Sequence, residues 1–181
     1  MSTLTFLGAD GGCGTTTLAA LSAQLLAKHA RRVPTMVAED PEVFTARLGE
    51  LPQVAHASED QLGEHGRYSA AKATTALTAG RLIVVGAATP RGLASLAEAL
   101  DDIARRFGQA GLNRTLPVQC AAFGVGGVPP ADSRTFRLPF DPSLVPGGPV
   151  SDVLPQLRAG TERMLRQQWL PVLAESFAAS R

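Results

Sequence analysis

At 181 residues the chain has the length of one domain with a full core. Hydrophobic residues make up 45% and charged residues 18%, ordinary for a globular protein, and the net charge of +1 leaves no electrostatic footprint for nucleic acid. No run approaches the roughly 18 apolar residues of a membrane span, no secretory signal opens the sequence, and Cys13 and Cys120 make no disulfide framework, so a cytoplasmic protein is expected.

In chain order, Leu4-Thr5-Phe6-Leu7 is an apolar, β-forming run and predicts a strand. The stretch Gly8-Ala9-Asp10-Gly11-Gly12-Cys13-Gly14 follows, with glycine at three of the four positions 11–14, a density that suits a loop of unusual backbone angles. Leu18, Leu21, Leu25 and Leu26 then recur at helical spacing, which predicts a helix ending near Ala30. Strand, glycine loop and helix is the arrangement that cradles a phosphate, because backbone N–H groups converge and the helix N-terminus adds partial positive charge. A tight turn that binds nothing is the other reading of the same residues. A P-loop carries lysine just before its Ser/Thr, whereas here Thr15 precedes Thr16. Only two of the 17 basic residues are lysines, Lys28 and Lys72, and neither lies in this loop.

Gly11, Gly12, Gly14, Thr16 and Thr17 match the motif lysine-Gly-Gly-x-Gly-lysine-Thr-Thr, and the stretch resembles the deviant Walker A loop of the ParA/MinD family of P-loop ATPases. Cys13 fills the variable position, and Asp10 and Thr15 replace the two lysines. The resemblance implies a doubly wound, mainly parallel α/β sheet of P-loop type in a single compact domain over residues 1–181. It implies a nucleotide site at Gly11, Gly12, Cys13, Gly14, Thr15, Thr16 and Thr17, with Thr16 as the metal ligand when magnesium-nucleotide binds. With both lysines gone, no cofactor is required and weak ATP or ADP binding with magnesium is the expected extent.

Val33 to Ala38 predicts a second strand, with Glu39-Asp40-Pro41 at its carboxyl end, where open α/β sheets bind ligands. Asp40-Pro41 looks like a remnant of the family's Asp-x-Asp-Pro signature, which implies a nucleotide-site role for Asp40. An acid capping the next helix accounts for it equally well. Residues 42–48 allow a short helix closed by Gly49, residues 53–57 a weak strand, and the alanine-rich stretch 69–79 a helix. His56 and His65 lack metal-ligand spacing and read as surface residues. Ser58-Glu59-Asp60 stands near the distance at which the family carries its Walker B aspartate, but no strongly apolar strand precedes it.

The strongest buried-strand signal is Arg81-Leu82-Ile83-Val84-Val85-Gly86, expected among the central strands. Aligned as the Walker B strand, it has Gly86 in place of the aspartate. Leu93, Leu96, Ala97, Leu100, Ile103, Ala104 and Phe107 predict an amphipathic helix, followed by a turn over 108–115 and a strand over 116–123. That strand ends in Phe123-Gly124, where the family often has an adenine-reading asparagine. Residues 124–134 read as a mobile Gly/Pro loop. Pro139-Phe140-Asp141-Pro142 looks like the family's loop beside the base, implying base contacts from Pro139 and Asp141, and Gly147-Gly148-Pro149-Val150 looks like the segment that follows it there.

Residues 152–181 read as a C-terminal helical segment with Leu165, Trp169, Leu173 and Phe177 on one line and Pro171 as a kink. Mixed charge and the proline favour a helix packed on the sheet over a membrane-binding tail. The implied function is a degenerate ParA/MinD-like pseudo-ATPase, a positioning or scaffold module for a partition, septum-placement, pilus or secretion system. Its expected partners are proteins, either a second copy or an active relative, with no nucleic acid and no membrane. An active ATPase with rearranged catalytic residues is the alternative. A dinucleotide-binding oxidoreductase is the weaker one, since Thr17 stands where that fingerprint needs its third glycine.

Overall fold

Residues 2–53, 57–121, 124 and 134–178 are described by the computed structural model. Strands β1 (Thr3–Gly8), β2 (Val33–Ala38), β3 (Ala57–Arg67), β4 (Gly80–Ala87), β5 (Thr115–Cys120) and β6 (Phe136–Leu138) form one sheet. Their order is β2-β3-β1-β4-β5-β6, and every pairing is parallel. The helices are α1 (Thr15–His29), α2 (Pro41–Leu48), α3 (Ala70–Ala79), α4 (Pro90–Asn113), α5 (Val150–Val153), α6 (Ala159–Met164) and α7 (Leu170–Ala178). The chain is thus an α/β domain built on a single parallel sheet, with Leu82–Val85 next to its centre as expected.

Alternation along the strands assigns the helices to two faces. Leu4, Phe6, Ile83 and Val85 pack with Leu18, Leu21 and Leu25 of α1, Phe44 of α2, and Leu165, Trp169, Leu173 and Phe177 of the C-terminal segment. Leu7, Leu82 and Val84 pack on the other side with Ala73 and Leu77 of α3 and Leu96 and Ile103 of α4. The chain leaves β1 toward one face and the adjacent β4 toward the other, which opens a crevice at their carboxyl ends.

Four sequence expectations change. The weak strand expected over 53–57 is replaced by the 11-residue β3, which lies between β2 and β1 and carries polar residues nearly throughout; positions 54–56, including His56, are outside the described residues. His65 lies half-buried on this strand, its ring against the space beside Gly63, and is not a plain surface residue. The turn expected from Gly108 is helical to Asn113, with Gly108 itself at φ 59° marking a kink between two helical stretches. At the C-terminus, helical backbone runs from Ala159 to Ala178 and absorbs Pro171 through a π turn over Leu165–Trp169. Leu170 N–H bonds to the Leu165 carbonyl, widening the helix just before the residue that has no N–H to give. Leu165, Trp169, Leu173 and Phe177 are buried against the sheet, the packing preferred over a membrane tail. Among the described residues, no helix is long and apolar enough to cross a membrane.

Tyr68, the only tyrosine, follows β3 and donates its hydroxyl to Asp102 Oδ2 of α4 at 3.0 Å. Burial first, and then the Asp102 carboxylate, push its pKa from 10.0 up to about 12. A raised folded-state pKa means that this contribution to stability is complete below pH 10 and is lost as pH climbs through about 12. Tyrosinate absorbance is therefore expected to titrate near 12 in the native protein and near 10 in urea. A native midpoint at 10 would show that the phenol is not held against Asp102.

Candidate functional site

The loop leaving β1 folds back on the strand so closely that position 8 has no room for a side chain. A Cβ on Gly8 would lie 2.6 Å from Thr15 Oγ1 and 2.9 Å from Cys13 Sγ. Gly12 and Gly14 take φ values of 74° and 92°, the left-handed region that glycine enters without strain. Gly14 is the N-cap of α1 and offers no side-chain cap. Three of the other helices, α2, α3 and α4, do carry one. Asp40 caps α2 through Val43 N–H, Ser69 caps α3 through Lys72 N–H, and Thr89 caps α4 through Gly92 N–H. The first amides of α1 are left for another acceptor, and its dipole favours an anion there.

These amides face a cleft of about 360 Å³ lined by Asp10 to Thr17, Glu64, Gly66 and Arg67. All seven loop positions expected at the site, Gly11, Gly12, Cys13, Gly14, Thr15, Thr16 and Thr17, line it. Thr15 is buried, and its hydroxyl lies 3.1 Å from Cys13 Sγ. The position that a P-loop gives to lysine is therefore closed into the loop. Asp10 also lines the cleft and brings an acidic side chain to its rim.

No family model matches the chain, and no curated protein matches it.

Glu64, near the carboxyl end of β3, was not expected from the sequence. It is 5% exposed and accepts hydrogen bonds from Thr16 Oγ1 and from Gly66 N–H, each at 3.3 Å. Burial pushes its carboxyl above the usual carboxylate range. The bonds from Gly66 and Thr16 offset this only in part, and the nearby Glu39 charge adds to the rise. Asp60, the acid expected near this role, lies toward the other end of the same strand. There it is buried against Arg32, Ser58 and Ser2 N–H, and it has no part in the cleft.

Among the described residues no three acidic, His or Cys side chains converge on a metal position. Glu64 and Thr16 still supply one carboxylate and one hydroxyl oxygen. That pair suits magnesium when phosphate oxygens and water complete its shell. Arg67, pinned beside Gly8 by the strand register, is the one cation lining the cleft among the described residues.

The remaining expected positions are not in this cleft. Asp40 is exposed, and its described role is the cap of α2, the plainer of its two readings. Glu39 beside it pairs with Lys72 Nζ at 2.6 Å. Asp141 is 2% exposed and accepts from Ser143 N–H at 3.0 Å and Arg158 N–H at 2.9 Å. Burial raises its pKa, but the bonds from Arg158, Thr161 and Ser143 outweigh this and hold it below the ordinary value. It is a structural clasp between the segment after β6 and α6. Pro139 and Asp141 line a separate space, shared with Cys120, Ala121, Leu138 and Leu144, that meets the loop at Gly14 and Thr17. Phe123 and most of the 124–134 stretch lie outside the described residues.

Proposed function

We propose that the chain is a degenerate P-loop protein of the ParA/MinD type, a pseudo-ATPase that serves as a positioning or scaffold module for a partition, septum-placement, pilus or secretion system. The carrying observation is Thr15, buried against Cys13 where the transferring phosphates would need a lysine ammonium. Phosphoryl transfer is catalysed by charge preorganised around the group in flight, and losing one such donor costs about 2.7–4 kcal/mol of barrier stabilisation. Two loop cations are missing and Asp10 adds an anion. The uncapped amides of α1 support retained, weak phosphate or nucleotide binding. With Asp10 in place of the lysine that would reach a neighbour's phosphates, ATP gives no drive to face-to-face closure of two copies. Partners, a second copy or an active relative, are then held by protein surface.

The second reading, an active ATPase with rearranged residues, draws support from Glu64 beside Thr16 and from Arg67 in the cleft. A dinucleotide enzyme has less behind it, because Glu39 is engaged by Lys72. Purified protein is expected to hydrolyse ATP no faster than background. Turnover that disappears in Thr16→Ala would overturn the pseudo-ATPase reading in favour of the active one, since a contaminating ATPase cannot respond to that substitution.

A further inference from the structure

Arg47, on the last turn of α2, is 8% exposed and has no carboxylate in ion-pair reach among the described residues. Buried guanidinium groups are ordinarily paired, so a lone one near an anion-ready loop calls for an account. Its Nη1 donates to the Gly148 carbonyl and its Nη2 to the Leu144 carbonyl at 3.0 Å. Its Nε donates to Thr17 Oγ1 at 3.0 Å. Thr17 is on the first turn of α1 and lines the loop cleft.

Proton counting gives this contact a direction. A guanidinium can only donate, so Thr17 Oγ1 is the acceptor and its own hydrogen must point elsewhere. Helical hydroxyls commonly spend that hydrogen on the carbonyl four residues back, as Ser22, Thr74, Thr75 and Thr78 do. Thr17 makes no such bond. Arg47 therefore holds the Thr17 hydroxyl as a donor with no protein acceptor among the described residues, at the end of α1 where an anion is favoured.

We infer that Arg47 is a positioning residue for a di- or triphosphate in the loop cleft, orienting the Thr17 O–H toward it and supplying from behind the positive charge that Thr15 and Asp10 withhold. The inference rests on the proposed phosphate grip and deepens it. The loop amides bind the phosphate oxygens, Thr17 donates one further bond, and the buried Arg47 charge strengthens that bond through the hydroxyl.

The test is calorimetric titration of wild type, Thr17→Val, Arg47→Met and the double variant with inorganic pyrophosphate, ADP and ATP, all without magnesium. Thr17→Val keeps shape and volume, so it holds the test open even where Arg47→Met folds poorly. Thr17→Val is expected to weaken pyrophosphate by about tenfold, the worth of one charge-assisted hydrogen bond. Arg47→Met is expected to weaken it to a similar degree, with the double variant no weaker than Thr17→Val alone. Pyrophosphate binding unchanged in Thr17→Val, or losses that simply add in the double variant, would overturn the role of Arg47 while leaving the phosphate grip standing. Failure of wild type to bind any of the three probes would overturn the grip itself and Arg47's role with it. Weakening of the two nucleotides without weakening of pyrophosphate would also count against it, since the contact would then serve the nucleoside.

Discussion

Replacing Trp169 by alanine is expected to cost about 3–5 kcal/mol of stability, a large share of the roughly 5–15 kcal/mol available to a domain. The side chain is fully buried, its ring centroid lies 4.5 Å from that of Phe136, and its Nε1–H donates to Ser22 Oγ of α1 at 2.9 Å. One residue thus joins the C-terminal segment, the edge strand β6 and the helix that follows the glycine loop. Trp169→Phe keeps an aromatic ring but loses the N–H and part of the apolar volume, so it should cost about 1 kcal/mol beyond its smaller size. Urea unfolding followed by circular dichroism measures both, since the only tryptophan is lost in each. If both variants fell within a few tenths of wild type, the last helix would not be part of the core, and a membrane-facing tail would regain its claim.

The strands carrying continuous aliphatic runs were legible because burial on both faces leaves few other sequences. Leu82 to Val85 predicted β4 on that basis, and Val33 to Ala38 predicted β2 with the same bounds. β3 was not legible, for a physical reason. It is an interior strand whose buried positions include Asp60 and Glu64, which meet Arg32, Ser2 N–H and Thr16. Partners supplied by other elements remove the need for an apolar side chain, and they leave no mark in the strand's own periodicity. Gly63, closed in by His65, hides the pattern further, since a glycine reads as a break.

The site divided along the same line. The glycine loop was readable because its backbone geometry demands glycine at particular positions, and Gly12 and Gly14 do take left-handed angles. Asp40 and Asp141 stand out in the sequence only through the positions that the ParA/MinD resemblance marks. Their bonds to the amides of Val43 and Ser143 are the local capping chemistry that acids before short helices often perform, and Asp141 adds the more distant Arg158 N–H. Glu64 and Arg47 come from 48 and 30 residues beyond the threonines they meet, so only the fold brings them to the loop. The one available signal was an ionisable residue isolated between small or apolar neighbours, Leu62-Gly63 before Glu64 and Leu48 after Arg47.

Glu64 carries the other large expectation. Its folded-state pKa lies above the ordinary 4.5, with burial as the main cause. An acid shifted upward favours the folded state below its unfolded pKa, and that advantage is lost as pH rises through the folded value. Ionised Glu64 is therefore a penalty at neutral pH. Glu64→Gln removes it while keeping a carbonyl oxygen to accept from Thr16 and Gly66. The variant should melt above wild type at neutral pH, and the gap should close as pH falls below 4.5, where both side chains are neutral. Such a cost persists in a fold when a ligand offsets it, and magnesium held between Glu64, Thr16 and phosphate would do so. The same substitution is accordingly expected to abolish any magnesium dependence of nucleotide binding. A variant less stable than wild type across the whole pH range would mean that the carboxylate is already compensated within the protein, and the case for a cation beside Thr16 would fall with it.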